Sequence, residues 1–91
     1  MVVINGAKVR QLMDALGIKT ASEISFRAAR RGLRLDPQLV RFAANGRATK
    51  DGEPRPVDML ASNLYALAQA LGVTMESLLE FVPDDDYGVA S

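Results

Sequence analysis

Ninety-one residues, 48% of them hydrophobic, imply one domain near the small end of what buries a stable core. The absence of cysteine and histidine excludes disulfides, thiolate and imidazole metal sites, Ser–His and Cys–His nucleophile pairs and any imidazole base. The formal charge of zero hides a split: residues 1–55 hold eleven basic and five acidic side chains, a balance of +6, and residues 56–91 hold six acids and no base, a balance of −6.

Val2, Val3 and Ile4 form either a short strand or a packed arm. Asn5 and Gly17 then bracket a first helix over residues 6–16, cap before and stop after. Val9, Leu12, Met13 and Leu16 recur at i, i+3, i+4 and i+7, one apolar stripe. Thr20-Ala21-Ser22-Glu23 has the form of a capping box and opens a second helix, which Gly32 ends. Ile24 and Ala28 mark its inner side, while Arg27, Arg30 and Arg31 fall largely on others. Asp36-Pro37, a cap followed by proline at the first helical position, opens a third helix over residues 37–44 that stops at Asn45-Gly46.

Residues 47–57 read as turn and loop, with Gly52, Pro54 and Pro56 breaking any period. A fourth helix is expected over residues 58–71, burying Leu60, Leu64, Leu67 and Leu71 and ending at Gly72. Thr74 is placed to cap a short fifth helix carrying Met75, Leu78 and Leu79. The fold class predicted is all-α, a compact five-helix bundle: a domain over residues 1–83, then an acidic tail, residues 84–91, built around Asp84, Asp85 and Asp86.

No apolar run approaches the ~20 residues of a membrane span, and residues 1–4 are too short for a signal peptide. A soluble, cytoplasmic protein is expected. The acids are scattered and the one cluster sits in the tail, so no catalytic residue, metal or cofactor is predicted, and the chain is read as a non-enzyme.

The second and third helices form the two-helix unit of a helix-turn-helix. At 100° per residue, Leu39, Val40, Ala43 and Ala44 share one side of the third helix. Gln38, Arg41 and Asn45 cluster within about 60° on the other, with Phe42 at the edge. These residue types suit a major groove: Gln pairs with adenine, Arg with guanine, and an apolar edge meets a thymine methyl. A solvated helix face of no further purpose has the same composition, so the pattern leaves both readings open.

Residues 60–79, with Leu67-Ala68-Gln69-Ala70-Leu71-Gly72-Val73 at the centre and Leu78-Leu79 after a capping Thr74, resemble the last two helices of the phage Cro / C1-repressor type helix-turn-helix family. Leu16-Gly17-Ile18 resembles the turn between that family's first two helices, and Asn45-Gly46-Arg47 the exit from its recognition helix. The resemblance covers roughly residues 5–81 and implies a lambda-repressor-like bundle. The connection between the second and third helices is several residues longer than is usual there, and the loop over residues 47–57 is also long. Many members pair an arginine of the first helix with a glutamate ending the recognition helix. Met13 and Ala44 take those places here, so neither leaves a lone buried charge.

The resemblance places DNA contacts on Pro37, Gln38, Leu39, Arg41 and Phe42, with Asn45 and Arg47 near phosphates, although Pro37 and Leu39 cannot make the polar contacts common there. The predicted base contacts are Gln38, Arg41, Phe42 and Asn45, and Arg47 and Lys50 are predicted phosphate contacts. Ala21 stands where a glutamine commonly touches phosphate, and Arg27, Arg30, Arg31 and Arg34 are the candidates to replace that contact. A solvated helix end rich in cations is the alternative for this cluster.

The function these residues imply is a sequence-specific DNA-binding transcription regulator, a repressor occupying a palindromic operator as a homodimer. Phe81, Val82, Tyr87 and the Val2–Ile4 arm are the candidate dimer surfaces. The rival is an antitoxin or protein-interaction module of the same fold. The acidic tail has two readings, a solvated extension or a segment that folds over the basic half and competes with DNA.

Overall fold

A computed structural model of the chain describes residues 2–48, 54–55, 57 and 59–81. Strand β1 (Val2–Ile4) leads through Asn5 into α1 (Gly6–Ala15), followed by α2 (Ala21–Arg30) and α3 (Pro37–Asn45). Two short strands, β2 (Arg47–Ala48) and β3 (Pro54–Arg55), precede α4 (Ala61–Leu71), a single 3₁₀ turn (Glu76–Leu78) and β4 (Leu79–Phe81). The protein is mostly helical, but it is not a bundle of five helices. Among the described residues there are four α-helices and two antiparallel strand pairs, β1 with β4 and β2 with β3.

Local chemistry explains the first three helices. Asn5 accepts the Lys8 N–H, Thr20 accepts that of Glu23 at 3.2 Å, and Asp36 accepts that of Gln38 at 2.8 Å, each satisfying a donor left orphaned at a helix start. Three helices end in one way. In α2 the Gly32 N–H bonds to Ala29 O and the Leu33 N–H reaches back to Ala28 O. Gly32 has φ +77°, a left-handed conformation that glycine adopts without a Cβ penalty. Gly17-Ile18 after α1 and Gly72-Val73 after α4 make the same pair of bonds.

The expected fifth helix is replaced by one tight turn and a strand. The Ser77 and Leu78 N–H groups bond three residues back, to Thr74 O and Met75 O, and the chain then extends. What draws it out is β1. Val2 lies opposite Phe81, Val3 opposite Glu80 and Ile4 opposite Leu79. Val3 and Ile4 are buried, Ile4 N–H bonds to Val57 O, and Asn5 N–H bonds to Leu78 O at 2.7 Å. Residues 79–81 thereby gain ladder partners and cover two apolar side chains, which one more helical turn would not do.

Helix α4 starts at Ala61, three residues later than expected, with Leu60 extended at its head and no side-chain cap. Leu60 is 73% exposed and so falls outside the buried stripe, whereas Leu64, Leu67 and Leu71 lie within it. Likewise Leu16, the last residue of the predicted α1 stripe, is 45% exposed, while Val9 is fully buried and Leu12 and Met13 pack partly against the core. The core lies where α2 meets α4 and where α1 and α2 meet α3. Ile24, Leu67, Leu78, Val3, Val9 and Val40 are its largest fully buried side chains. Small residues fill the rest: Ala28, Ala43, Ala44, Ala66, Ala68 and Ala70 are all buried, which lets the helices approach closely.

Candidate nucleic-acid interface

The long connection between α2 and α3 does not turn α3 out of the fold. Leu35 is buried and Leu33 packs against the core, so the extra residues are pinned from inside. Val40, Ala43 and Ala44 then face inward, and Gln38, Arg41 and Asn45 are exposed together on the opposite side. Phe42 is half-buried at the edge of that face. The helical projection and the structure agree on which side of α3 faces solvent.

Two residues of α1 fix the far end of α3. A Cβ added to Gly6 meets Ala44 O at 2.8 Å and Ala43 O at 2.9 Å, so this glycine is what lets α1 lie against the backbone of the last turn of α3. One turn on, the Arg10 guanidinium donates to Ala44 O. That carbonyl belongs to the C-terminal turn, where acceptors lack intrahelical partners and a cation opposes the helix dipole. Neither residue carried a sequence signal for this role, because the partners lie far along the chain. Met13 and Ala44, the apolar replacements for an ion pair between first and third helices, do come together, lining one cleft.

That cleft is one concave part of the α3 surface, another lying between Phe42, Asn45 and the start of α1. About 390 Å³ in volume, it is bounded by Lys19, Thr20 and Ala21 at the start of α2 and by Arg41, Ala44 and Asn45 on α3. The N-terminus of α2, where Thr20 Oγ1 already accepts the Glu23 N–H, brings the positive end of the helix dipole to the same place. Lys19 and Arg41 add two full charges, against one exposed acid, Glu23, in the first turn of α2. The arrangement fits an anion that passes the α2 terminus while a neighbouring group is read by Arg41 and Asn45. Lys19 was not among the predicted contacts. Its signal was its position directly before the Thr20 cap. Ala21 is buried, and Lys19 beside it lines the same cleft.

The predicted phosphate-contact arginines do not join this cleft. Arg27, Arg30 and Arg31 lie towards the C-terminal end of α2, about 15 Å along the helix from Ala21 at most. With Leu16, Leu71 and Gly72 they line a separate cleft that shares no residue with the first. Arg34 is exposed in the α2–α3 connection and lines neither. Arg47 falls in β2, and Lys50 lies outside the described residues.

The Val2–Ile4 arm proposed as a dimer surface is committed within the chain to β4. Only its outer pair remains open, Val2 at 51% and Phe81 at 69% exposure. Val82, Tyr87 and the three aspartates of the tail lie outside the described residues. Among the described residues, no cluster of acidic side chains is suited to holding a metal ion, and no helix is long and apolar enough to cross a membrane. Comparisons with protein families, curated proteins and solved structures return no match to this chain.

Proposed function

We propose that this chain is a sequence-specific DNA-binding transcription regulator with a divergent lambda-repressor-like domain of the Cro / C1-repressor kind. The observation that carries the reading is the single face on which Gln38, Arg41 and Asn45 of α3 stand exposed beside Lys19 and the N-terminus of α2. In this reading α3 enters the major groove, Arg41 and Gln38 bond to base edges, and Phe42 borders a thymine methyl. Lys19 and the α2 terminus hold the flanking phosphate. Regulation is steric, by occupancy of an operator. Pro37 and Leu39 offer no polar contact, so each domain reads few bases, and a second domain on a symmetric site supplies the remaining discrimination.

A protein-interaction module or antitoxin of the same fold is the second reading. Asp36 favours it, because its exposed carboxylate at the head of α3 repels an approaching phosphate. Selection of bound duplexes from a random pool with the full chain separates the two. The DNA reading predicts enrichment of an inverted repeat whose half-site centres lie about one helical turn, ~34 Å, apart. No enriched sequence after repeated rounds, together with a second protein that co-purifies in fixed stoichiometry, supports the module instead.

A further inference from the structure

The C-terminal ends of α1, α2 and α4 converge on a cleft of about 380 Å³, with Arg27, Arg30 and Arg31 as its basic wall. Leu16, Arg31 and Gly72, which cap those three helices, all line it. Each helix end carries roughly half a negative charge, about 1.5 in all, and offsetting it is one use for the arginines. The magnitudes leave a surplus, because three guanidiniums carry about twice that charge. None of the described residues lining the cleft is acidic, and no acid occurs between Glu23 and Asp36. Arg30 and Arg31 are exposed and Arg27 is half-buried. Arg31 Nη1 donates to Gln69 Oε1 at 3.2 Å, which orients the guanidinium and leaves its other donors for a ligand.

Beside the charge stands an open aromatic ring. Phe26 is 63% exposed, and the Arg30 guanidinium carbon lies 5.9 Å from its centroid. A polyanion accounts for the cations but leaves the ring without a partner. Duplex DNA does the same, since its bases are stacked inside and its outer surface would offer the ring only phosphate. An acidic protein segment meets the charge. However, Ala70 and Leu71 of the lining are buried, and what is left exposed beside the arginines, Phe26 and Leu16, falls short of a packed apolar interface centre. A single strand of nucleic acid has both parts: phosphates in a row for the guanidiniums, and unpaired bases whose flat faces stack on an aromatic ring.

We propose that this cleft binds single-stranded nucleic acid without sequence preference, holding phosphates on Arg27, Arg30 and Arg31 and an unpaired base on the Phe26 ring. Guanidinium–phosphate pairs are charge-assisted and need no fixed base geometry, and stacking tolerates any base, so both contacts are blind to sequence. Arg27 and Arg31 lie one helical turn apart, about 6 Å along α2, so the arginines take a short stretch of strand, two or three successive phosphates. Phe26 and Arg30 are also one turn apart, which puts the stacked base beside the phosphates. Single-stranded DNA and RNA share this chemistry, and the test separates them. The cleft shares no residue with the one beside Arg41, so this proposal and the operator reading of α3 fail independently.

Fluorescence anisotropy of labelled ten-nucleotide oligo(dT) and oligo(U) on the full chain tests it. Wild type is expected to bind at least one of the two, the tighter naming the natural strand, with log affinity falling against log salt at a slope of about −1.4 to −2. Arg30→Ala/Arg31→Ala is expected to bind at least tenfold more weakly at low salt, with the slope shallower by about 1.4. Phe26→Ala is expected to lose at least fivefold with the slope unchanged, and Phe26→Tyr, which keeps a ring, to bind like wild type. These side chains lie outside the buried core, so circular dichroism spectra should match wild type. Arg41→Ala is expected to leave oligonucleotide binding intact, which separates this site from α3. No binding of either oligonucleotide at low salt overturns the proposal, as does a Phe26→Ala variant that binds as wild type does. Displacement of the oligonucleotide by polyglutamate at equal charge also overturns it, and makes the cleft a site for an acidic protein surface. If the arginine variant loses random duplex DNA but keeps both oligonucleotides, the arginines are duplex phosphate contacts and the proposal fails.

Discussion

Truncating Leu67 to alanine is expected to cost about 3–4 kcal/mol, against the ~5–10 kcal/mol that holds a domain of this size together. Leu67 is fully buried on α4, in the cluster that also contains Ile24 and Ala28 of α2. Seven of the buried members of that core are alanines with no χ angle to turn. A hole left by Leu67 is therefore filled only in part by its neighbours and leaves a cavity, which puts the cost in the middle of the Leu→Ala range of about 2–5 kcal/mol. Thermal melting checks it: a midpoint about 15–25 °C below wild type is expected, and a midpoint within a degree or two contradicts the placement of Leu67 in the core.

The second large effect is at Gly6, where alanine is expected to be destabilising by about 2 kcal/mol although it is the better helix former. On an open helix surface the same change gains up to about 1 kcal/mol. Here the added methyl meets two carbonyl oxygens within 3.0 Å, and both belong to backbone rather than to a side chain that can swing away. Relief requires α1 to move off α3, which loosens the packing of Val9 and Val40 and displaces the end of α3 that carries Asn45. Melting of Gly6→Ala, with DNA binding measured well below its midpoint, checks both consequences. A variant at least as stable as wild type refutes the close approach.

These two residues also mark the limit of what the sequence made legible. Helix ends were readable because their chemistry is local. Asn5, the Thr20 cap, Asp36-Pro37 and the three Gly-apolar endings each act within a few residues, and all serve as expected. The outward face of α3 followed from the helical period alone. Leu79, in contrast, completes a helical pattern with Met75 and Leu78, and only the distant partner Ile4 decides that it extends. The closeness of Gly6 to α3 and the Arg10 contact with Ala44 are tertiary in the same sense, the latter spanning 34 positions. Leu60 kept the apolar spacing of α4 but precedes its first turn, so the stripe began one residue too early. The arginines of α2 were visible as charge, but composition carries no face. Their separation from α3 follows from the packing of α2 against α4.

The central claim is that α3 reads bases, and Arg41→Ala tests it most directly once a bound site has been selected. Arg41 is exposed and bonded to nothing in the core, so its loss leaves the fold intact. Affinity for the selected site is expected to fall by about 1–3 kcal/mol, with little change on random DNA, so that discrimination collapses. Lys19→Ala, measured in parallel, is expected to weaken both and to reduce the slope of log affinity against log salt by about one unit. If Arg41→Ala binds the selected site as tightly as wild type does, α3 is not the reading helix.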